Sequence, residues 1–339
     1  MRGAALPVGL ADNAPMKLHQ LRYLVAIAAD GSIRAAARSL GVTQATVTQG
    51  LRELESGCQV ALLTRGSGGI SLTAAGQELL EHAQRMMAQL RHAEEALARH
   101  RDADSPQHLA LGITPWIGQT LLAHVLPPFR AELPHVQLEL FDGLSRLGLP
   151  LLRDGSLDLM IGRIPPPEAM EGLQATALFT YDLTVVARSG HPREGARSIA
   201  ELLDQDWILN FTPSERAAAM DNLFGQHGHE APRHRIHLAH SAALSMTLVQ
   251  QTDMLSLCPW PLVETEGRNS GLVPLQLRER FHASRVGVVR RANEALPHAA
   301  TRFLAHFTEQ TRACLASGDP RMKRVFRSVE MLAEEPAGK

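Results

Sequence analysis

Residues 32–55, SIRAAARSLGVTQATVTQGLRELE, decide the reading of this chain, because they carry the pattern of two short helices around a tight turn. Ser32 is a good N-cap, Ile33 to Leu40 is rich in helix-forming Ala and Arg, and Gly41 supplies the left-handed residue that ends the first helix. Thr43 then caps a second helix. Val47, Leu51 and Leu54 recur at spacings of four and three, which predicts a buried stripe, and Gln44, Thr46, Thr48, Gln49 and Arg52 fall opposite it. That outer face is polar and almost free of acid. Its side chains can donate to and accept from base edges, so the pair fits a helix-turn-helix that enters the major groove of double-stranded DNA. Two helices around a glycine also occur as an ordinary solvated pair in globular proteins, and this segment alone leaves both readings open.

Charge favours the first. Residues 16–72 hold six bases (Lys17, Arg22, Arg34, Arg38, Arg52, Arg65) against three acids (Asp30, Glu53, Glu55), a net +3. The whole chain is −1, so the remainder carries −4. A modest positive excess on this one segment suits a module that meets phosphate.

From Met16 to about Arg101 the chain resembles the LysR-type transcriptional regulators. The family's opening pattern stands as Met16, Leu18, Leu21 and Ala26, its helix-turn-helix as GSIRAAARSLGVTQATVTQGLRELE, and its wing and following helix start as LLTRGSGGISLTAAG. The resemblance places Arg34, Gln44, Ala45, Thr46, Thr48, Gln49, Arg52 and Arg65 at the DNA. Two departures stand out. The family often has Pro after the Gln and a basic residue in the wing, where this chain has Ala45 and Gly68. Gly50 is a poor helix former, worth about 1 kcal/mol less than Ala. Together these imply a base preference of the chain's own.

At 339 residues with 45% apolar content, the chain is expected to hold two or three domains with sizeable cores. No run approaches the ~18 apolar residues of a membrane span, and MRGAALPVGLADNAP lacks an apolar signal core. The expectation is a cytoplasmic protein without membrane contact. Residues 1–15 precede the family pattern and read as a disordered extension or a misassigned start. Cys58, Cys258 and Cys314 form neither a metal motif nor a disulfide framework. Some relatives sense oxidants through a cysteine pair, but the apolar neighbours of Cys258 in LSLCPWP predict a raised thiol pKa and low reactivity.

Residues 16–73 are read as the winged helix-turn-helix domain, with Gly57 to Ile70 forming a turn and a small wing. Arg65 suits a phosphate contact or an ion pair with Glu53 or Glu55. Thr73 caps a long helix over residues 74–101, where Leu79, Ala83, Met86, Leu90, Ala93 and Leu97 alternate spacings of four and three. Its ~28 residues span roughly 42 Å at 1.5 Å per residue, too long to stand without a partner for that seam. The seam fits packing on the same chain or on a second copy, and the resemblance implies a dimer, with dimers pairing into tetramers. It also admits RNA polymerase as a partner.

A charged, Pro-containing hinge covers residues 102–106. Beyond it, short apolar runs alternate with helices: HLALGI, VQLELF, LDLMIG, LTVVA, WILNF, RIHLA, MLSLC and RVGVV. That alternation predicts parallel sheets covered by helices on both sides. The first strand ends GITPWIG, which lacks the dinucleotide fingerprint, so no nucleotide cofactor is expected. The segment resembles the family's effector domain, itself similar to periplasmic binding proteins, with two α/β lobes joined by two crossovers. Lobe one is placed at 107–180 and 285–317, lobe two at 181–284, and 318–339 is left as a tail. The fold class is therefore α/β with an N-terminal, all-α winged helix-turn-helix domain.

Ligands of open α/β sheets bind beyond the carboxyl ends of strands. Four such ends carry small hydroxyls: Thr114 with Trp116; Ser145 after Gly143 and Leu144; Asn210, Phe211, Thr212 and Ser214; and Ser241 after His240. Each hydroxyl alone reads as a helix cap, and their convergence suits a small organic anion. Trp116 and Leu144 stand where relatives often have Thr, and with Phe211 they favour an aromatic or partly apolar acid. Gly148 and Pro150 are expected to break the helix after Ser145. Thr252, Asp253 and Met254 replace a Gly-rich turn, which resembles a branch that includes regulators of aromatic-acid and sulfonate use.

The histidines of HGHEAPRHRIHLAH (His227, His229, His234, His237, His240) suggest a metal site, yet RIHLAH reads as a strand that puts His237 and His240 on opposite faces. Solvated histidines are expected, with no metal. Three classes remain: a DNA-binding regulator, a solute-binding or redox-sensing protein of similar fold, and a metal-dependent or hydrolytic enzyme. The regulator accounts for every segment but the tail, and no catalytic residues are assigned.

Overall fold

Local capping sets the limits of the first three helices in the computed structural model, which describes residues 16–66, 69–102, 104–142, 145–267 and 270–332. Residues 1–15, Gly68, Gly143 and Leu144 therefore lie outside the described residues, as do the side chains of Arg65, Ser145 and Ser214. Helix α1 (Leu18–Asp30) ends at Gly31, whose φ of 71° is the left-handed conformation that glycine adopts without strain. Helix α2 (Ile33–Ser39) is capped by Ser32 Oγ, which accepts from the Ala35 N–H at 3.1 Å. Helix α3 (Gln44–Cys58) is capped by Thr43 in the same way, through the Thr46 N–H at 3.1 Å. Leu24, Ile27, Ile33, Val47 and Leu51 then close a core that also takes Leu80 from the long helix.

Strands β1 (Leu63–Gly66) and β2 (Gly69–Leu72) pair antiparallel as the wing. The Glu55 carboxylate holds the entry to it, accepting from the Leu62 and Leu63 N–H groups at 2.8 and 3.2 Å. Helix α4 (Ala74–Arg101) starts at Thr73, whose hydroxyl accepts from the Gly76 N–H at 3.0 Å. Of its predicted seam, Ala83 is buried in the N-terminal unit and Leu79 packs against that core. Met86, Leu90, Ala93 and Leu97 are exposed in the single chain. The chain divides into two compact units within this helix, after Glu94.

The second unit is α/β, but its sheets are mixed where the alternation of runs predicted parallel ones. Strands β3 (Gln107–Ile113), β4 (Val136–Asp142) and β5 (Leu159–Arg163) are parallel, connected through α5 (Pro115–Thr120), α6 (Leu122–Glu132) and α7 (Ser145–Arg153). Strand β6 (Leu173–Tyr181), which the apolar pattern passes over, follows without a helical crossover. Its neighbour is β12 (Ser284–Arg291), and both that pairing and the one between β12 and β5 are antiparallel. Lobe two holds β7 (Leu183–Arg188), β8 (Trp207–Leu209), α8 (Arg216–Leu223), β9 (Ile236–Leu238), α9 (Ala242–Gln251), β10 (Ser256–Pro259), the single turn α10 (Trp260–Leu262) and β11 (Leu272–Pro274). Here β7 is flanked antiparallel by β10 and β11, and β8 and β9 are parallel.

Strand β12 (Ser284–Arg291) returns the chain to lobe one and α11 (His298–Leu315) covers the sheet there with Phe303 and Phe307. Of the segment after Gly318, on which the sequence is silent, residues 319–332 are built in. Helix α12 (Pro320–Val325) is followed by β13 (Glu330–Met331), which pairs with β6. Trp260 fixes it by donating from Nε1 to the Arg324 carbonyl at 2.9 Å, with the Arg327 guanidinium 3.3 Å over its ring.

Helix α7 also departs from expectation, since it runs unbroken through Pro150. Proline removes one ladder bond there, and Gly148 lies close to Met160: a Cβ at that position would lie 2.6 Å from Sδ, at the flexible end of the methionine side chain. No helix among the described residues is long and apolar enough to cross a membrane.

Candidate functional site: a base-reading helix face and an interlobe cavity

On α3, Gln44, Ala45, Thr46, Gln49 and Arg52 are exposed and Thr48 is half-buried, while Val47, Leu51 and Leu54 are buried. Arg34 is exposed on α2. Several of these groups are engaged. The Thr48 hydroxyl donates to the Gln44 carbonyl at 2.8 Å, Thr46 Oγ1 lies 2.8 Å from Thr43 Oγ1, and Gln49 donates to Glu53 at 2.9 Å. The Gln49 amide, and less strongly that of Gln20, holds the Glu53 carboxyl below its ordinary range. Gly50 does not belong to the outer face: it is buried, and a Cβ there would lie 2.6 Å from the Tyr23 ring. Its poor helix propensity is the counterpart of close packing between α1 and α3, rather than a feature of base recognition.

In the second unit, a cavity of about 1060 Å³, solvent at its mouth included, opens between the two lobes. Thr114 and Trp116 line it from the end of β3, and Gly162 and Arg163 from the end of β5. Lobe two contributes Asn210 and Phe211 after β8, Ser245 and Met246 from α9, and Cys258 from β10. Gly162 is required for the fit, since a Cβ there would sit 2.6 Å from the Thr114 methyl. Trp116 packs at 5.0 Å between ring centroids on Tyr181 and edge-on at 5.9 Å on Phe179, so the aromatic wall is backed by two further rings. Burial pushes the Tyr181 hydroxyl up, against the opposing pull of Arg163. Burial also pushes the Cys258 thiol up to about 12, in line with an inert, apolar sulfur that touches Met246 Sδ at 3.8 Å.

Three polar atoms in this lining are buried without a hydrogen-bond partner among the described residues: Thr114 Oγ1, Asn210 Oδ1 and Ser245 Oγ. Buried polar groups are normally satisfied, so these three atoms mark where a molecule held in the cavity, water or solute, would find hydrogen bonds. The remaining expected residues lie elsewhere. Thr212 and Ser241 are not in the lining. The Thr212 N–H and hydroxyl donate to Glu215 Oε2 at 2.7 and 2.8 Å, and Ser241, exposed, caps α9 through the Leu244 N–H at 3.3 Å. Ser245, one helical turn beyond Ser241, and Arg163, the last residue of β5, line the cavity although the strand-end hydroxyls do not announce them. The rule of strand ends that selected Thr114 applies equally to the Arg in LDLMIGR.

The histidines of residues 227–240 do not gather. Strand β9 carries His237, and His227 packs edge-on against Phe281 with ring centroids 5.6 Å apart, an apolar use in place of the expected solvation. Among the described residues no group of three or more His, Cys, Asp or Glu is placed to hold a metal.

A winged helix-turn-helix joined by one long helix to a two-lobed α/β unit with an interlobe cavity defines a ligand-responsive, DNA-binding transcriptional regulator. Residues 18–77 match the bacterial regulatory helix-turn-helix model of the lysR family, and residues 102–312 match the LysR substrate binding domain. The chain belongs to the LysR family, whose members are DNA-binding regulators rather than enzymes. It is 30% identical over 290 residues to the SDS degradation transcriptional activation protein of a Pseudomonas species, covering 84% of this chain and 92% of that one. It is 27% identical to the uncharacterized HTH-type transcriptional regulator YdcI of Escherichia coli, covering 82% and 90%. In fold it is similar to full-length OxyR of Pseudomonas aeruginosa (TM-score 0.64, 22% identity, 95% of this chain and 99% of that one). It is likewise similar to full-length CbnR complexed with its target DNA (TM-score 0.61, 21% identity, 87% and 100%).

Proposed function

We propose that this regulator is controlled by a small, partly apolar organic acid bound in the interlobe cavity, an aromatic carboxylate or sulfonate being the best fit. The observation that carries the reading is the cavity's chemistry. Its three orphaned polar atoms and the Arg163 guanidinium stand among Trp116, Met160, Phe211 and Met246. Such a site takes a ligand with one hydrogen-bonding acidic end and one apolar body. The relative named for SDS degradation connects a similar chain with an apolar-tailed anion by its name.

On the DNA side, α3 enters the major groove with Gln44 at base edges, and Arg34 and Arg52, which have no ion pair among the described residues, meet phosphate. The exposed stripe Met86, Leu90, Ala93, Leu97 supports pairing with a second copy along α4. Binding in the cavity biases the arrangement of the two lobes, and differential affinity for two arrangements is its thermodynamic requirement.

A thermal-shift panel tests the effector reading: benzoate, benzenesulfonate and hexyl sulfate against glucose and benzylamine. Acids should stabilise by about 2.7 kcal/mol at a hundredfold excess over Kd. The shift should collapse in Thr114→Val with Ser245→Ala. A tight sugar or amine ligand, with every acid inert, would refute it.

A further inference from the structure

Among the described residues that line the cavity, Arg163 is the one charged side chain. It does not face the cavity unopposed. From the end of β5 in lobe one, Arg163 makes an ion pair across to Glu215 of lobe two, with NH2 and Oε1 2.8 Å apart. The arginine side chain is 35% exposed and the glutamate side chain 10%. Glu215 closes a single turn of 3-10 helix (Pro213–Glu215) that follows β8 and leads into α8.

The two partners are unequally satisfied. Glu215 Oε2 accepts from both the backbone N–H and the hydroxyl of Thr212, at 2.7 and 2.8 Å. If Arg163 turned away, the carboxylate would lose its countercharge but keep both hydrogen bonds, so its oxygen lone pairs would not all be stranded. Arginine carries five N–H donors in a planar fork, and Glu215 is the one acidic partner of Arg163 among the described residues. The cation therefore has arms to spare, at a wall that also holds orphaned hydrogen-bonding atoms of both lobes.

We propose that Arg163 anchors the effector's acidic group, and that Glu215 holds that place in the unliganded protein. The ligand's acid exchanges with the Glu215 carboxylate for the guanidinium, and Glu215 falls back on Thr212. No bond other than hydrogen bonds and ion pairs is made or broken; the guanidinium exchanges one anion for another, and the site gains one negative charge, carried by Glu215 on the Thr212 donors. Occupancy of the cavity is thereby coupled to release of a direct tie between lobe one and lobe two. This rests on the acid reading above and names the residues through which it acts. A neutral ligand of the same shape has no claim on Arg163 and leaves the tie in place.

Full-length wild type, Glu215→Gln, Arg163→Lys and Arg163→Met should be titrated by calorimetry with benzoate, benzenesulfonate and hexyl sulfate, and with benzamide and benzenesulfonamide as neutral counterparts. Removing the competing carboxylate in Glu215→Gln should tighten acids by about tenfold and leave the amides unchanged. Arg163→Met should weaken acids by about tenfold or more, with the amides again unchanged. Arg163→Lys, which keeps the charge and loses the fork, should fall between, and it carries the test if the methionine variant does not fold. Equal acid affinity in wild type and in both Arg163 variants overturns this anchor while leaving the acid reading intact. Weaker acid binding in Glu215→Gln also overturns it, because Glu215 would then build the site. Failure of every acid to bind wild type and Glu215→Gln overturns both.

Discussion

Replacing Gly50 by Ala should destabilise the DNA-binding unit, although alanine is the better helix former. Within a helix the exchange gains about 1 kcal/mol in propensity. At this position the new Cβ would lie 2.6 and 2.7 Å from Tyr23 Cε2 and Cδ2. Carbon atoms rest at about 3.5 to 4.0 Å, so the ring or the helix must move by about 1 Å. Tyr23 is half-buried, packs on the first core and is met edge-on by His19 at 5.6 Å, which limits its retreat. Overpacking of this kind costs roughly 1 to 3 kcal/mol, so the net effect is a loss of about 1 kcal/mol. In a Tyr23→Ala background the clash is gone, and Gly50→Ala should instead stabilise by about 1 kcal/mol, a coupling of about 2 kcal/mol between the two sites. Native-state hydrogen exchange on peptides from residues 18–58 of the full chain reads this directly. A loss of about 1 kcal/mol accelerates exchange roughly fivefold. Trp116, Trp207 and Trp260 are the chain's three tryptophans and all lie beyond Glu94, so the fluorescence-monitored urea midpoint should not move. Slower exchange after Gly50→Ala in both backgrounds would refute the packing role of this glycine.

Gln44→Ala should relax operator preference at a cost of about 1 to 3 kcal/mol, whereas Arg52→Ala should weaken all DNA about equally; unchanged discrimination in a gel-shift titration after Gln44→Ala would remove α3 from base reading. Leu90→Asp places a charge in the exposed stripe of α4 beside Met86, which is 50% exposed, and Leu97, which is 66% exposed. Sedimentation should show a smaller species, and an unchanged oligomer would move the interface elsewhere. The Arg302 hydrogen bond, with that of His306 second, holds the Glu132 carboxyl down from 4.5 to about 2. Because the folded value is depressed, its stabilisation is present above pH 4.5 and is lost as pH falls toward 2; it is small, since the pair is largely solvated. The wild-type advantage over Glu132→Gln in urea midpoint should therefore shrink across that window, and a constant difference would contradict it.

What the sequence determined by itself is what short-range physics governs. Ser32, Thr43 and Thr73 cap their helices through bonds to the N–H three residues on, and the Val47, Leu51, Leu54 stripe follows from 3.6 residues per turn. A strand that ends at Thr114 likewise places a hydroxyl at the mouth of a sheet wherever that sheet lies. Tertiary structure decided what depends on residues distant in the chain. Antiparallel β12, arriving from lobe two, turned an expected parallel sheet into a mixed one, and the tail found its role only by pairing β13 with β6. Gly50 looked like a weakness until Tyr23 was brought against it. Pro150 reads as a break, yet α7 continues through it with Leu149 and Leu152 buried in one cluster with Met160. The same holds in the cavity. Ser241 and Ser245 are both plausible from spacing alone, yet only the packing of α9 buries the second and exposes the first. Arg163 and Glu215 lie on different lobes, and no local pattern announces that they meet, because the energy of an ion pair depends on distance through space and not along the chain.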